Sequence, residues 1–245
     1  CYMNEIFAIA GSTWRNVLRL KVVYFLVFCV WVLVACALNY DVLSLGLEKE
    51  LLIDASLMLN TITAVLIVLS LTFEIPKELK DGVASSMLSK PLGRTHYLIG
   101  KMLGNMVIGF VLCALVAAGS FLIFRVSFND TVGQTMLQSQ VLVILSVIPM
   151  SALAVLFAVA LPEIVAPIVT VLVIWFSHSM GLLSNLPVIY GGILPDLELF
   201  NFKASAVYQT VIPWSYVVLV TLWGICYAVF AASLASLIFS RKDIR

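Results

Sequence analysis

Long runs of apolar residues, punctuated by short clusters of charge, dominate the chain. A helix that crosses about 30 Å of hydrocarbon needs about 20 mainly apolar residues. Six runs approach or exceed that length, at 22–39, 51–73, 97–124, 137–161, 164–184 and 211–240. Pro162 and Pro167 divide the fourth from the fifth, because proline lacks the amide proton that a helix interior uses. The pattern predicts an all-α, polytopic fold of six transmembrane helices forming a single domain over 1–245.

Composition sharpens this. The chain is 62% hydrophobic and only 11% charged, against about 25% charged in soluble domains, and its mean hydropathy is +1.11. A soluble enzyme is excluded. The balance of 14 Lys and Arg against 13 Asp and Glu also excludes a nucleic-acid binder that works by neutralising phosphates. The five cysteines include no C-x-x-C pair and sit mostly in apolar runs, so neither a disulfide framework nor a metal site is expected.

Where the cations fall sets the orientation, since Lys and Arg accumulate in cytoplasmic loops. With the N-terminus inside, Arg15, Arg19, Lys21, Lys77, Lys80, Lys90, Arg94, Lys101, Arg241, Lys242 and Arg245 are cytoplasmic, eleven of the fourteen. Lys49, Arg125 and Lys203 remain outside. Six spans return the C-terminus to the same side. A multi-pass protein of the cell's inner (plasma) membrane with both termini cytoplasmic is expected.

Three segments are not spans. Over 3–20, Met3, Ile6, Phe7, Ala10, Trp14, Val17 and Leu18 recur three and four apart, opposite Glu5, Arg15, Asn16 and Arg19. That spacing predicts an amphipathic helix lying in the interface rather than a cleavable signal. The inner loop 74–96 carries Lys77, Lys80, Lys90 and Arg94, with Lys101 just beyond it. Pro76 suits a first helical turn, and Ile75, Leu79, Val83 and Met87 recur every four residues. One or two short surface helices, interrupted near Gly82 and closed by Pro91 and Gly93, are expected to dock on another surface.

Within this loop the sequence resembles the membrane subunits of ABC exporters of the second type. The shared pattern is an acidic start (Glu74, Glu78), a D-G (Asp81, Gly82), then L-x-S-K-P-x-x-R (Leu88, Ser89, Lys90, Pro91, Arg94) and a G-K-x-x-G (Gly100, Lys101, Gly104) opening span three. The motif covers about thirty residues, and the six-span plan with its N-terminal interfacial helix extends the likeness along the chain. The resemblance implies a permease subunit whose 74–96 loop is a cytoplasmic coupling helix in a groove of a separate ABC ATPase. It places Glu74, Lys77, Glu78, Lys80, Asp81, Gly82, Met87, Lys90 and Arg94 at that contact. It also implies a second permease copy, a homodimer, with ATP and Mg bound by the partner ATPase. Family members place short re-entrant helices between spans five and six; here 185–212, with Pro187, Gly191, Gly192 and Pro195, is too broken to span and is read as an extracytoplasmic re-entrant segment. An interfacial cap or a landing site for an extracytoplasmic accessory protein are the alternatives.

The chain itself offers little chemistry. A phosphate-binding loop needs G-x-x-x-x-G-K-[ST]; at Gly100-Lys101 position 95 is Thr and position 102 is Met, so the motif fails at both ends. No catalytic role and no cofactor are expected in this chain. His178 lies between Ser177 and Ser179, on helix faces that do not meet, and without a G-x-S-x-G elbow it reads as a buried structural histidine.

Small and polar residues form stripes along two spans, Ser56, Asn60, Thr63, Ser70 and Glu74 in the second and Thr170, Ser177, Gly181 and Ser184 in the fifth. Such a stripe is either packing glue or the lining of a path, and two of them favour an interface between protomers; the resemblance implies that these spans border the central pathway of the dimer. No charge pair is expected inside the spans, which weighs against a gradient-driven carrier. The function these features favour is ATP-driven export through a non-catalytic subunit. A membrane scaffold or assembly factor and a secondary carrier are the alternatives, and the transported substrate is not legible.

Overall fold

The computed structural model describes residues 11, 28, 31–32, 47–81, 94–129, 133–180 and 194–241. Within them the regular structure is helical. Helix α1 (Glu48–Lys80) is followed by α2 (Arg94–Phe128), α3 (Gln134–Ala160) and α4 (Val165–Ser177); a 3₁₀ turn at Glu198–Phe200, then α5 (Lys203–Val207) and α6 (Trp214–Ser240) complete the order. Four of these, α1, α2, α3 and α6, are long and apolar enough to cross a membrane, as expected of a transmembrane protein. The first predicted span, 22–39, and the interfacial helix 3–20 lie outside the described residues, apart from the isolated positions Gly11, Phe28, Trp31 and Val32.

α3 is the hub, packing against α1, α2, α4, α5 and α6. Its Leu142, Val147, Met150, Ala152 and Ala154 are fully buried. Apolar side chains gain nothing by leaving lipid for one another, so helices in a bilayer associate through close packing and polar contacts. Gly109 of α2 provides such an approach, since a Cβ there would sit 2.6 Å from Val147 Cγ1. Gly119, farther along α2, leaves room for the Trp31 indole. Asn129 ends α2 in the left-handed region, at φ 48°, with its N–H donating to Arg125 O, a conformation that asparagine tolerates better than most residues.

Two expected boundaries are corrected. The helix that carries the second predicted span does not stop at 73, and Glu74 to Lys80 are not a separate surface helix; they continue α1 without interruption, with Pro76 inside the helix rather than in a first turn. A proline there forfeits one backbone hydrogen bond, and side chains on either side of it, Glu74 and Glu78, anchor that stretch to α2. Within the predicted fifth span, 164–184, the α-helix ends at Ser177, and 181–184 lie outside the described residues. At 1.5 Å per residue α4 is about 20 Å long, short of the roughly 30 Å core. The helix ends where another segment offers a hydrogen bond, Leu197 N–H donating to Ser177 O at 3.1 Å. Pro162 does sit in the turn before α4, its carbonyl accepting from Val165 and Ala166.

Residues 194–212 fold back into the bundle. Leu197, Phe200 and Ala206 are buried, Ser139 donates to Phe202 O, Gln138 to Ile212 O and Tyr216 to Leu199 O. The Phe200 ring occupies the space over Gly224, beside Pro149; Gly224 lies about 15 Å along α6 from Trp214. The turn therefore reaches well below the helix ends. The segment is packed among the helices.

Filling the α2–α3 contact tests the packing. Gly109→Leu is expected to lower stability by about 1–3 kcal/mol through overpacking, and Val147→Ala on that background to recover part of it, read from unfolding midpoints of the detergent-solubilised variants. Equal destabilisation by the single and double variants would contradict the contact.

Candidate functional site

The most strongly charged buried site lies where α1 ends and α2 begins. Glu74 and Glu78 are four apart on α1, and Tyr97 and Lys101 four apart on α2, so each pair shares one helix face. The two faces meet. Lys101 Nζ donates to Glu74 Oε1 at 2.6 Å and to Glu78 Oε1 at 2.6 Å, and Tyr97 OH donates to Glu78 Oε2 at 2.5 Å. The lysine side chain is 1% exposed, against 19% for Glu74 and 15% for Glu78. Tyr97 is itself buried and stacks on Phe239 of α6, centroids 6.2 Å apart.

This corrects the expectation that no charge pair is buried among the spans. Lys101 is about two turns inside α2, too deep to be a mere flank. An ammonium there needs anionic partners, because burial of an unpaired charge costs several kcal/mol. Two carboxylates against one ammonium leave a formal charge of −1, which the Tyr97 hydroxyl and the partial exposure of both glutamates help to carry. Glu74 and Glu78, read from sequence as partner contacts, are thus engaged within the chain. The polar seam continues one turn on, with Ser70 donating to Asn105 Oδ1 at 3.1 Å and Asn105 Nδ2 to Ser151 Oγ at 3.5 Å.

The remaining stripe residues are also interior to the single chain. Ser56, Asn60, Thr63, Thr170 and Ser177 are all buried. Asn60 Nδ2 donates to Gln140 Oε1 at 2.6 Å, and Gln140 Nε2 to Ser56 Oγ at 3.3 Å. Thr63 and Thr170 return their hydroxyls to backbone carbonyls one turn back. Ser177 Oγ is buried without a partner, as is Asn60 Oδ1. Packing glue between α1 and α3 accounts for Ser56 and Asn60. Gly181 and Ser184 lie outside the described residues. The sequence reading missed Asn105, Ser151 and Gln140; an amide within an apolar run was the signal for Asn105 and Gln140, and nothing in the pattern singles out Ser151.

Of the other predicted partner-contact residues, Lys77, Lys80 and Asp81 are exposed at the end of α1. Lys80 pairs with Glu163 across 3.5 Å, at 75% and 43% side-chain exposure, a contact worth at most about 1 kcal/mol. Gly82, Met87 and Lys90 lie outside the described residues, and Arg94 opens α2. His178 follows the end of α4, its Nδ1 3.0 Å from Ile174 O. Among the described residues no group of three His, Cys, Asp or Glu is placed to hold a metal. No family model and no curated protein matches the chain.

Removing the central cation tests the cluster. Lys101→Met leaves two carboxylates in a buried site and is expected to cost about 3–5 kcal/mol. Adding Glu74→Gln and Glu78→Gln is expected to restore most of that, as read by unfolding in mixed micelles. If Lys101→Met alone unfolds at the wild-type midpoint, the cluster does not hold the helices.

Proposed function

We propose that the chain is the membrane-spanning subunit of an ATP-driven exporter, a permease that couples to separate cytoplasmic ABC ATPase subunits and works as a dimer. The observation that carries this reading is the unbroken passage of α1 from its apolar stretch to Lys80, with Lys77, Lys80 and Asp81 exposed at its tip while Glu74 and Glu78 are tied to Lys101. A rigid helix end fastened to its neighbour suits a lever. A push on the tip would move α1 and α2 together, instead of being absorbed by bending between them.

The sequence supports the reading independently. The D-G, L-x-S-K-P-x-x-R and G-K-x-x-G elements resemble the coupling region of the exporter family, and their Lys101 is the residue that meets both glutamates. ATP and Mg belong to the partner, consistent with the failed phosphate-loop motif at Gly100-Lys101. In this proposal the basic ends face the cytoplasm of an inner (plasma) membrane. Ser56, Asn60, Thr63, Ser70, Thr170 and Ser177 stiffen the helices beside the path, with Gly181 and Ser184 continuing their stripe. The re-entrant 194–212 segment closes the opposite side, where an accessory protein would dock.

One observation favours a second reading. Lys101 with Glu74 and Glu78 is the kind of buried ionisable cluster that gradient-driven carriers place among their helices, so a secondary carrier stands as the rival. Affinity purification of the full chain from its native membrane separates them. Co-purification of an ATPase is expected, with at least a tenfold loss for Lys77→Glu/Lys80→Glu and for Gly82→Pro at unchanged chain yield. Solute uptake by vesicles holding the chain alone, driven by an ion gradient, would overturn the exporter reading.

A further inference from the structure

Just past α5 the chain turns apolar side chains outward instead of burying them. Gln209 lies in the left-handed region at φ 53°, and Thr210 N–H donates to Ser205 O at 2.9 Å, the bond that closes a helix in a Schellman motif. The turn is fastened on both sides. Ala206 before it and Ile212 after it are buried, and Gln138 of α3 donates to Ile212 O at 2.9 Å. Between those anchors Tyr208 and Val211 are 79% and 80% exposed, and Trp214, which opens α6, is half-exposed. A fixed turn that holds such side chains outward needs something to cover them.

Depth decides what that is. The exposed Asp54 and the half-buried Glu74 stand 20 residues apart on α1 with no charge between them, about 30 Å along the helix, which matches the hydrocarbon core of a bilayer. α6, from Trp214 to Ser240, is about 40 Å long, the thickness of a bilayer with its headgroups. Glu50 lies about 6 Å beyond Asp54, away from Glu74, and Gln209 lines the same small cavity as Lys49 and Glu50. The turn is therefore at headgroup height, where tyrosine and tryptophan gather because their rings are apolar while their polar atoms stay wet. We propose that Tyr208, Val211 and Trp214 form an interfacial anchor, inserted among the lipid headgroups at the end of the bundle opposite Lys101, with membrane lipid as its partner. Because the turn is bonded to α3 through Gln138, the anchor sets the depth of the 194–212 segment in the bilayer. It does not rest on the exporter reading.

Reconstitution into phosphatidylcholine vesicles tests it. With the five native cysteines replaced by serine, an environment-sensitive fluorophore is placed on Tyr208→Cys, on Val211→Cys or, at the exposed tip of α1, on Asp81→Cys. A nitroxide carried on the shallow part of the lipid acyl chain is expected to quench the first two labels at least threefold more than the third. Iodide on both faces of the membrane is expected to quench the third at least threefold more than the first two. Iodide quenching at 208 and 211 equal to that at 81 marks a turn standing in water, open to a protein partner, and overturns the proposal. The unaltered chain supplies a second measurement that no cysteine change can disturb. A lipid with a photoreactive diazirine at the level of its glycerol is expected to label the peptide that holds 208–214; an unlabelled peptide in a chain labelled elsewhere overturns the proposal as well.

Discussion

An ammonium group among hydrocarbon side chains has to be met by negative charge or it will not stay there. Lys101 is met by Glu74 and Glu78, one turn apart on the facing helix, and that requirement fixes much else. It sets the register of α1 against α2. It holds α1 helical across Pro76, where the backbone alone favours a break. Through Tyr97 it also reaches α6, since the ring that donates to Glu78 stacks on Phe239. Three helices are thus gathered at one end by one buried contact.

Elsewhere the bundle is held by smaller terms. Each polar contact between helices contributes on the order of 0.6 kcal/mol in a membrane setting, so the Asn60–Gln140–Ser56 set and the Ser70–Asn105–Ser151 set matter more for register than for total stability. Register is what a buried amide specifies well, because a one-residue slip leaves its donors unsatisfied. Glycines supply the rest by letting backbones close in, at Gly109 against Val147 and at Gly224 against Phe200. The second of these admits the 3₁₀ turn at Glu198–Phe200 between the helices. Irregular backbone at such depth is tolerated only when buried in protein, and the side chains of Ser139, Gln138 and Tyr216 accept that task by donating to its carbonyls.

The basic end and its opposite differ in kind. At the first, charges are buried and paired, and the exposed tip of α1 carries Lys77, Lys80 and Asp81. At the second, Lys49 and Glu50 line a small cavity together with Phe124 and Met136. The two ends are joined by α1, which runs the whole distance as one helix.

Apolar runs bounded by charge were enough to read the all-helical class and the four long helices, three of them within four residues at both ends, because burying a backbone in hydrocarbon leaves the helix as the economical solution. Hydropathy also located Pro162 in its turn and marked 185–212 as too broken to span. Hydropathy did not reveal that Glu74 to Lys80 continue α1, since a proline and a cluster of charges look like a loop until Lys101 is seen opposite them. Nor did it reveal that α4 stops at Ser177, because apolarity is the same whether a residue faces lipid or a returning strand of chain. The stripe of Ser56, Asn60 and Ser70 was legible as a polar face, but its partners Gln140 and Asn105 belong to other helices. Local sequence determined which segments are helical; which faces meet, and so which charges are buried, was decided only when distant helices were brought together.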